Sequence, residues 1–332
     1  MNITAPYLLF LGDATDKLSI KMAQGVADWR PDLCVGQLRL PGCEVSTNLP
    51  DMSIQDAHAK GAKTFVLGFA NSGGTIDPSW VPYIIEALNA GLNIVSGLHD
   101  KLTDIAEIRQ AAAAKGLQLT DIRHPQQKFK TANGVSRPGK RLLTVGTDCS
   151  VGKMYTSLAL DKAMKQHGFD VDFRATGQCG ILIAGSGVAI DCVVADFIAG
   201  ASESLSPANK PLHWDIIEGQ GSLSHPAFAG VSLGLLHGAQ PDALVICHAL
   251  GRSSMRGLNH CLPPSISDTI AMNLAAAKLT NPDCSIAGIA INTSSVDEEE
   301  ALLICERITA EFKLPCVDPL RHGVDMIIER LS

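Results

Sequence analysis

The chain has 332 residues, 46% of them hydrophobic and 18% charged, with a formal net charge of −7. That apolar share excludes a disordered polypeptide, and the length calls for two cores instead of one. The acidity is modest and dispersed, without the Lys/Arg clusters of a polyanion-binding face, so neither a nucleic-acid nor a membrane partner is expected.

Residues 7–11 (YLLFL) read as a buried strand. Gly12 and Asp13 interrupt the run and no basic region precedes it, which distinguishes it from a signal peptide. Further strands are predicted at 34–40, 64–69 and 92–96, and three-to-four-residue apolar spacing predicts helices over 17–29, 53–60, 80–90 and 103–115. Alternation of this kind argues for a parallel sheet with helices on both faces, a Rossmann-like domain over residues 1–125. Ligands gather at the carboxyl ends of such strands, which places residues 12–15, the loop Asn71-Ser72-Gly73-Gly74 and Gly97-Leu98-His99 on one rim. The glycines there serve equally well as plain turns.

Residues 126–140 are polar, basic and rich in turn formers, and read as a linker. A second α/β series fills residues 141–332. Its strands are predicted at 141–145, 171–175, 214–217, 243–247, 285–291 and 315–317, and its helices over 153–167, 190–201, 230–238, 267–279 and 297–312. This is a doubly wound, P-loop NTPase-like domain. No apolar run approaches the ~18 residues that span a bilayer. Ten cysteines, at 34, 43, 149, 179, 192, 247, 261, 284, 305 and 316, contain no CxxC pair. They read as reduced thiols, mostly in the core of a cytoplasmic protein, with no zinc cage or disulfide framework.

The informative stretch is Gly146-Thr147-Asp148-Cys149-Ser150-Val151-Gly152-Lys153-Met154, set between a strand and a helix. A glycine-bounded loop in that context turns successive amides inward as an anion nest, the helix N-terminus adds partial positive charge, and the lysine reaches over bound phosphates. All nine residues are candidates for holding a phosphate-rich cofactor. Five residues separate the two glycines, one more than in the common pattern. Met154 stands where nucleotide kinases and hydrolases carry the Ser or Thr that ligates magnesium, and a thioether is a poor ligand for a hard cation. Phosphate binding without a required metal is therefore expected. Thr156 lies two positions further on, on another face of the helix.

Glu218 ends a strand on the same rim and is a candidate general base, or else an ion-pair partner of Lys153. Arg174 and Gln178 follow a strand, Gln220 follows Glu218, and Arg252 and Arg256 follow another strand. The arginines suit carboxylates or phosphates, which their planar forks grip in pairs. His225 and His237 are further candidates for carrying a proton.

The string GTDCSVGK resembles the GTDTxVGKT loop of dethiobiotin synthetases, and the segment from Glu218 to Leu223, EGQGSL, resembles their EGAGGL strand end. Over nearly its whole length, through GTDCSVGKMYT, RATGQCGILIAG, DIIEGQGSLSHPAFAGVSLGLLHG and HALGR, the chain resembles bacterial P-loop proteins identified as D-glutamate N-acetyltransferases. That resemblance implies transfer of an acetyl group from acetyl-CoA to the amine of D-glutamate, with the P-loop on the coenzyme's phosphates. It also implies an amino-acid substrate and no required metal; a homo-oligomer is expected. On this reading Glu218, His225 and Gln178 are the catalytic candidates, and Arg174, Gln220, Arg252 and Arg256 contact substrate. Two other readings stay open: a Mg-ATP-dependent ligase or kinase of the dethiobiotin synthetase type, and a non-enzymatic sensor of nucleotide or CoA.

Overall fold

The computed structural model describes residues 3–69, 72–125 and 127–331, so the predicted loop position Asn71 lies outside the described residues. The chain divides into two units, Met1–Gln127 with Gly177–Cys192, and Lys128–Thr176 with Val193–Ser332.

In the first unit, β1 (Tyr7–Gly12), β2 (Cys34–Arg39), β3 (Thr64–Leu67), β4 (Asn93–Ser96) and β5 (Leu119–Asp121) form a parallel sheet in the order β2-β1-β3-β4-β5. Helices α1 (Lys21–Trp29), α2 (Ile54–Ala59), α3 (Val81–Asn89) and α4 (Ala106–Lys115) connect the strands. Every residue of β1 is buried, as expected of a parallel strand covered on both faces. Phe10 packs against Phe65 and meets Phe69 edge-on, and Phe69 stacks on Trp80 with centroids 4.3 Å apart. Helix α1 starts at Lys21 and not at the predicted 17, because the Asp16 carboxylate takes the amides of Leu18 and Ser19 and holds a turn there.

The second unit is built on β6 (Lys140–Gly146), α5 (Lys153–Gln166) and β7 (Val171–Arg174). Helix α6 (Gln178–Ala184) belongs with the first unit. The second resumes with α7 (Ile198–Leu205), β8 (Trp214–Ile217), α8 (Ala229–Ala239), β9 (Ala243–Ala249) and α9 (Ile266–Ala277). It closes with β10 (Ser285–Asn292), α10 (Glu298–Phe312), β11 (Cys316–Val317) and α11 (Asp325–Ile328). Its sheet is parallel throughout, in the order β11-β10-β9-β6-β8-β7. After β6 the chain visits β7 and β8 on one side and then crosses to β9 on the other. That reversal puts the crevice of a doubly wound sheet at the end of β6. Helix α10 starts where expected because Asp297 caps it, accepting the Glu300 amide at 2.9 Å, with acidic residues in the first turn favoured by the helix dipole.

Three features depart from the sequence reading. The predicted helix over 190–201 is two short 3₁₀ turns, Ile190–Cys192 and Ala195–Phe197, followed by α7, because the boundary between the units falls within it. Residues 177–192, expected within a continuous second domain, join the first unit. There α6 packs on α1, with Cys179 donating to Met22 O and Arg30 to Ile183 O. The segment expected as a linker is bound to the second unit from Lys128 onward. Arg137 donates to Ser206 O and Gly238 O, the Asn133 amide donates to Glu203, and Asn209 donates to Pro138 O. Among the described residues the ten cysteines form no disulfide, but only Cys247, Cys284, Cys305 and Cys316 are buried, fewer than the core placement expected. Among the described residues no helix is long and apolar enough to cross a membrane.

Candidate functional site

Strand β6 delivers the P-loop to the carboxyl edge of its sheet. The Thr147 amide donates to Cys247 O at 3.1 Å, and the Thr147 hydroxyl lies 3.0 Å from His248 Nδ1, so β9 anchors the start of the loop. Ser150 and Gly152 both have positive φ, +53° and +98°, a conformation that glycine adopts without strain and that here reverses the chain into α5. Among the described residues the amides of Ser150, Val151 and Gly152 donate to no protein acceptor. No side chain caps α5 either. Open amides at a helix start form an anion nest.

Lys153 is buried, and its Nζ donates to Asp148 O at 2.8 Å. Burial pulls its pKa down, against the smaller opposing effects of Cys149, Cys247, Asp148 and Glu218. The Thr156 hydroxyl turns back to Gly152 O at 3.0 Å, so it is occupied within its own helix.

Asp148 is completely buried and supports the loop from behind. Its carboxylate accepts from the Cys149 amide at 2.7 Å, the Arg256 amide at 2.8 Å and Arg252 Nη1 at 3.0 Å. A buried carboxylate needs such partners. Arg252 also donates to Ser150 O, so its guanidinium braces the P-loop. Asp148, Cys149 and His225 each bring a possible ligand atom within 4.8 Å of the others. They make a poor metal set, because the carboxylate is taken up by its three donors and both His225 nitrogens are engaged. The Ala227 amide donates to His225 Nδ1 at 3.2 Å, which leaves the proton on Nε2, and Nε2 donates to Arg256 O at 3.0 Å.

Glu218 emerges from β8 beside Lys153 and is buried. Its Oε2 accepts the Thr176 amide at 2.9 Å, while the Thr176 hydroxyl donates to Glu218 O and receives Gln220 Nε2. Thr176 therefore ties the ends of β7 and β8 together. Gly219 passes so close to β6 that an added Cβ would lie 1.7 Å from Thr144 O and 2.9 Å from Lys153 Cδ. Gly219→Ala is expected to lower stability by about 1–3 kcal/mol and to displace Lys153. Urea unfolding together with a phosphate-ligand titration checks both effects, and an unchanged midpoint would show that the strands separate easily.

The structure thus brings together the P-loop, Lys153, Glu218, Gln220, His225, Arg252 and the backbone of Arg256. The Arg256 guanidinium is half-buried and makes no hydrogen bond or ion pair among the described residues. Arg174 is committed elsewhere, to Asp215 at 2.7 Å and Asp172 at 3.1 Å along the sheet face. Gln178 stands in the first unit, where its Oε1, without a hydrogen-bond partner among the described residues, lies against Gly97. His237 Nε2, on α8, is buried without a hydrogen-bond partner among the described residues. Sequence reasoning missed Thr176 and Thr144, although both lie in strands or strand ends that meet the rim.

The family described as "Domain of unknown function (DUF1611_C) P-loop domain" matches residues 129–328, and its Rossmann-like companion, DUF1611_N, matches residues 38–125. A D-glutamate N-acetyltransferase from Pseudoalteromonas sp is 67% identical over 331 residues, 100% of both chains. Another, from Tritonibacter scottomollicae, is 49% identical over 330 residues, 99% of both chains. The crystal structure of a DUF1611 family protein from Anabaena variabilis superposes with a TM-score of 0.89 at 30% identity, covering 99% of each chain. With both domains matched in order and similarity running from end to end, the chain belongs to the DUF1611 family.

Proposed function

We propose that this protein is an enzyme that transfers the acetyl group of acetyl-CoA to the amine of D-glutamate. The observation that carries the reading is that two relatives similar over the full chain, at 67% and 49% identity, bear the name D-glutamate N-acetyltransferase. The site is chemically suited to it. Coenzyme A carries a pyrophosphate, for which the open amides of residues 150–152 and the Lys153 ammonium are fitting partners. Acetyl transfer has no γ-phosphate to activate, so it does not need the hydroxyl that Met154 replaces. Acetyl-CoA supplies a thioester carbonyl: the acceptor ammonium gives up one proton to free its lone pair, the nitrogen bonds to the carbonyl carbon, the C–S bond breaks, and a second proton from the nitrogen passes to the sulfur, so that the coenzyme departs as the thiol. Glu218 is assigned as the group that takes the first of these protons. The unpaired Arg256 guanidinium is assigned to a substrate carboxylate. Arg252 serves by holding the loop in shape. Ten cysteines outside any disulfide support a reducing compartment, which is in keeping with a cytoplasmic reaction.

The test is direct. Acetyl-CoA and D-glutamate in EDTA are expected to yield N-acetyl-D-glutamate and free thiol in equal amounts. Acetyl-CoA in EDTA is also expected to raise Tm, since a ligand at a hundredfold excess over its Kd stabilises by about 2.7 kcal/mol. A protein whose transition moved only with Mg-ATP, and that made no acetylated product, would belong to the ligase or kinase class instead.

A further inference from the structure

Between the ends of β9 and β10, next to the P-loop, the sheet edge holds a pocket of about 330 Å³. Small-molecule sites run from about 300 to 1,000 Å³, so this one suits a nucleoside and is too small for a whole coenzyme. Ser150 forms one wall, and Arg252, Ser254, Asn292, Ser294 and Ser295 form much of the rest. The hydroxyls of Ser254, Ser294 and Ser295 make no hydrogen bond among the described residues. Asn292 ends β10. Its Oδ1 accepts the Ser294 amide at 3.0 Å, and its backbone oxygen accepts the Leu250 amide at 3.1 Å. With the oxygen of the carboxamide engaged, Nδ2 remains as a donor to whatever fills the pocket. Ser150 belongs to both places, because its amide is one of the open donors of the phosphate nest and its residue lines the pocket. A molecule that joins a pyrophosphate to a nucleoside can therefore occupy both at once.

Resting on the acetyl-CoA reading above, we propose that this pocket takes the adenosine end of the donor. Asn292 Nδ2 donates to a purine ring nitrogen, an acceptor position on adenine, and the serine hydroxyls meet the ribose and its 3′-phosphate. Asn292→Asp keeps an acceptor for the Ser294 amide at nearly unchanged volume but turns the donor into a charged acceptor. Adenosine 3′,5′-bisphosphate, titrated by calorimetry into the full chain, is expected to bind the unmodified protein and to lose about tenfold or more in the variant. The KM for acetyl-CoA should rise by the same factor, while the rate with S-acetylpantetheine, a donor without a nucleotide, stays constant. Ser295→Trp, which fills the pocket from its exposed rim, is a second variant expected to give the same pattern. Equal bisphosphate affinity in the variants and the unmodified chain, or a matching loss with S-acetylpantetheine, would overturn the assignment. Bisphosphate binding that depends on Asn292 in a protein that acetylates nothing would keep the pocket and remove the acetyltransferase reading.

Discussion

Glu218→Gln is expected to lower kcat by about 10²–10⁴ while acetyl-CoA binding stays close to that of the unmodified chain. The carboxylate stands at the end of β8 beside Lys153, and one oxygen is held by the Thr176 amide, which fixes the orientation of the group. Glutamine preserves that acceptor and the side-chain volume but cannot take a proton from an ammonium. A base acting in the free enzyme gives kcat/KM an acidic limb, and the variant should lose it. His225 is a weaker rival, because the Ala227 amide and Arg256 O occupy both its nitrogens. Near-normal turnover with the limb retained would make Glu218 a structural tie between β7 and β8.

Lys153→Ala should raise the Kd for acetyl-CoA on the order of 30- to 1,000-fold, as expected when one partner of a buried, hydrogen-bonded charge pair is removed. The KM for the amino acid should move far less. Burial holds the Lys153 pKa below its ordinary 10.5, so the folded chain grips that proton less tightly than the unfolded one does. The resulting cost to the unliganded fold is complete below the lowered pKa and fades as pH climbs toward 10.5. A phosphate in the nest pushes the pKa back up. Binding at pH values inside that window therefore takes up a proton, seen as a binding enthalpy that depends on the ionisation heat of the buffer. Lys153→Met should abolish the buffer dependence and leave the unliganded protein no less stable, because an apolar side chain of similar size avoids the desolvation cost. Unchanged acetyl-CoA affinity in folded Lys153→Ala would remove the P-loop from the active site.

Both sheets are legible in the sequence because parallel strands covered on two faces leave unbroken apolar runs. The predicted 7–11 and 285–291 differ from β1 and β10 by a single residue at the carboxyl end. Helix α6 escapes the same reasoning. Its seven residues, QCGILIA, are apolar nearly throughout, so they show no face and read as loop or strand equally well. Strand β5 has only three residues, too few for any period. At the site, glycine spacing and a lysine reveal the P-loop, and a strand-end position reveals Glu218. The fate of Arg174 depends on register. Asp172 and Asp215 pair across β7 and β8, and their carboxylates gather the guanidinium along the sheet face, which no linear spacing discloses. Arg252 is similar, since its target Asp148 is brought to it only when β9 settles beside β6.

The return of residues 177–192 to the first unit shapes how this polypeptide can be made. Domains that are contiguous in sequence can mature one after another as they leave the ribosome. Here the N-terminal Rossmann-like unit lacks α6, with its buried Ile181, Leu182 and Ile183, until the P-loop and helix α5 have already been synthesised. The nascent N-terminal half must keep the surface of α1 that receives α6 uncovered during that interval, a window in which a holdase chaperone can engage it. A cut at the polar segment near residue 127 severs one of three crossings between the units, so the C-terminal fragment keeps the whole second unit while the N-terminal fragment loses α6, which stays on the other piece.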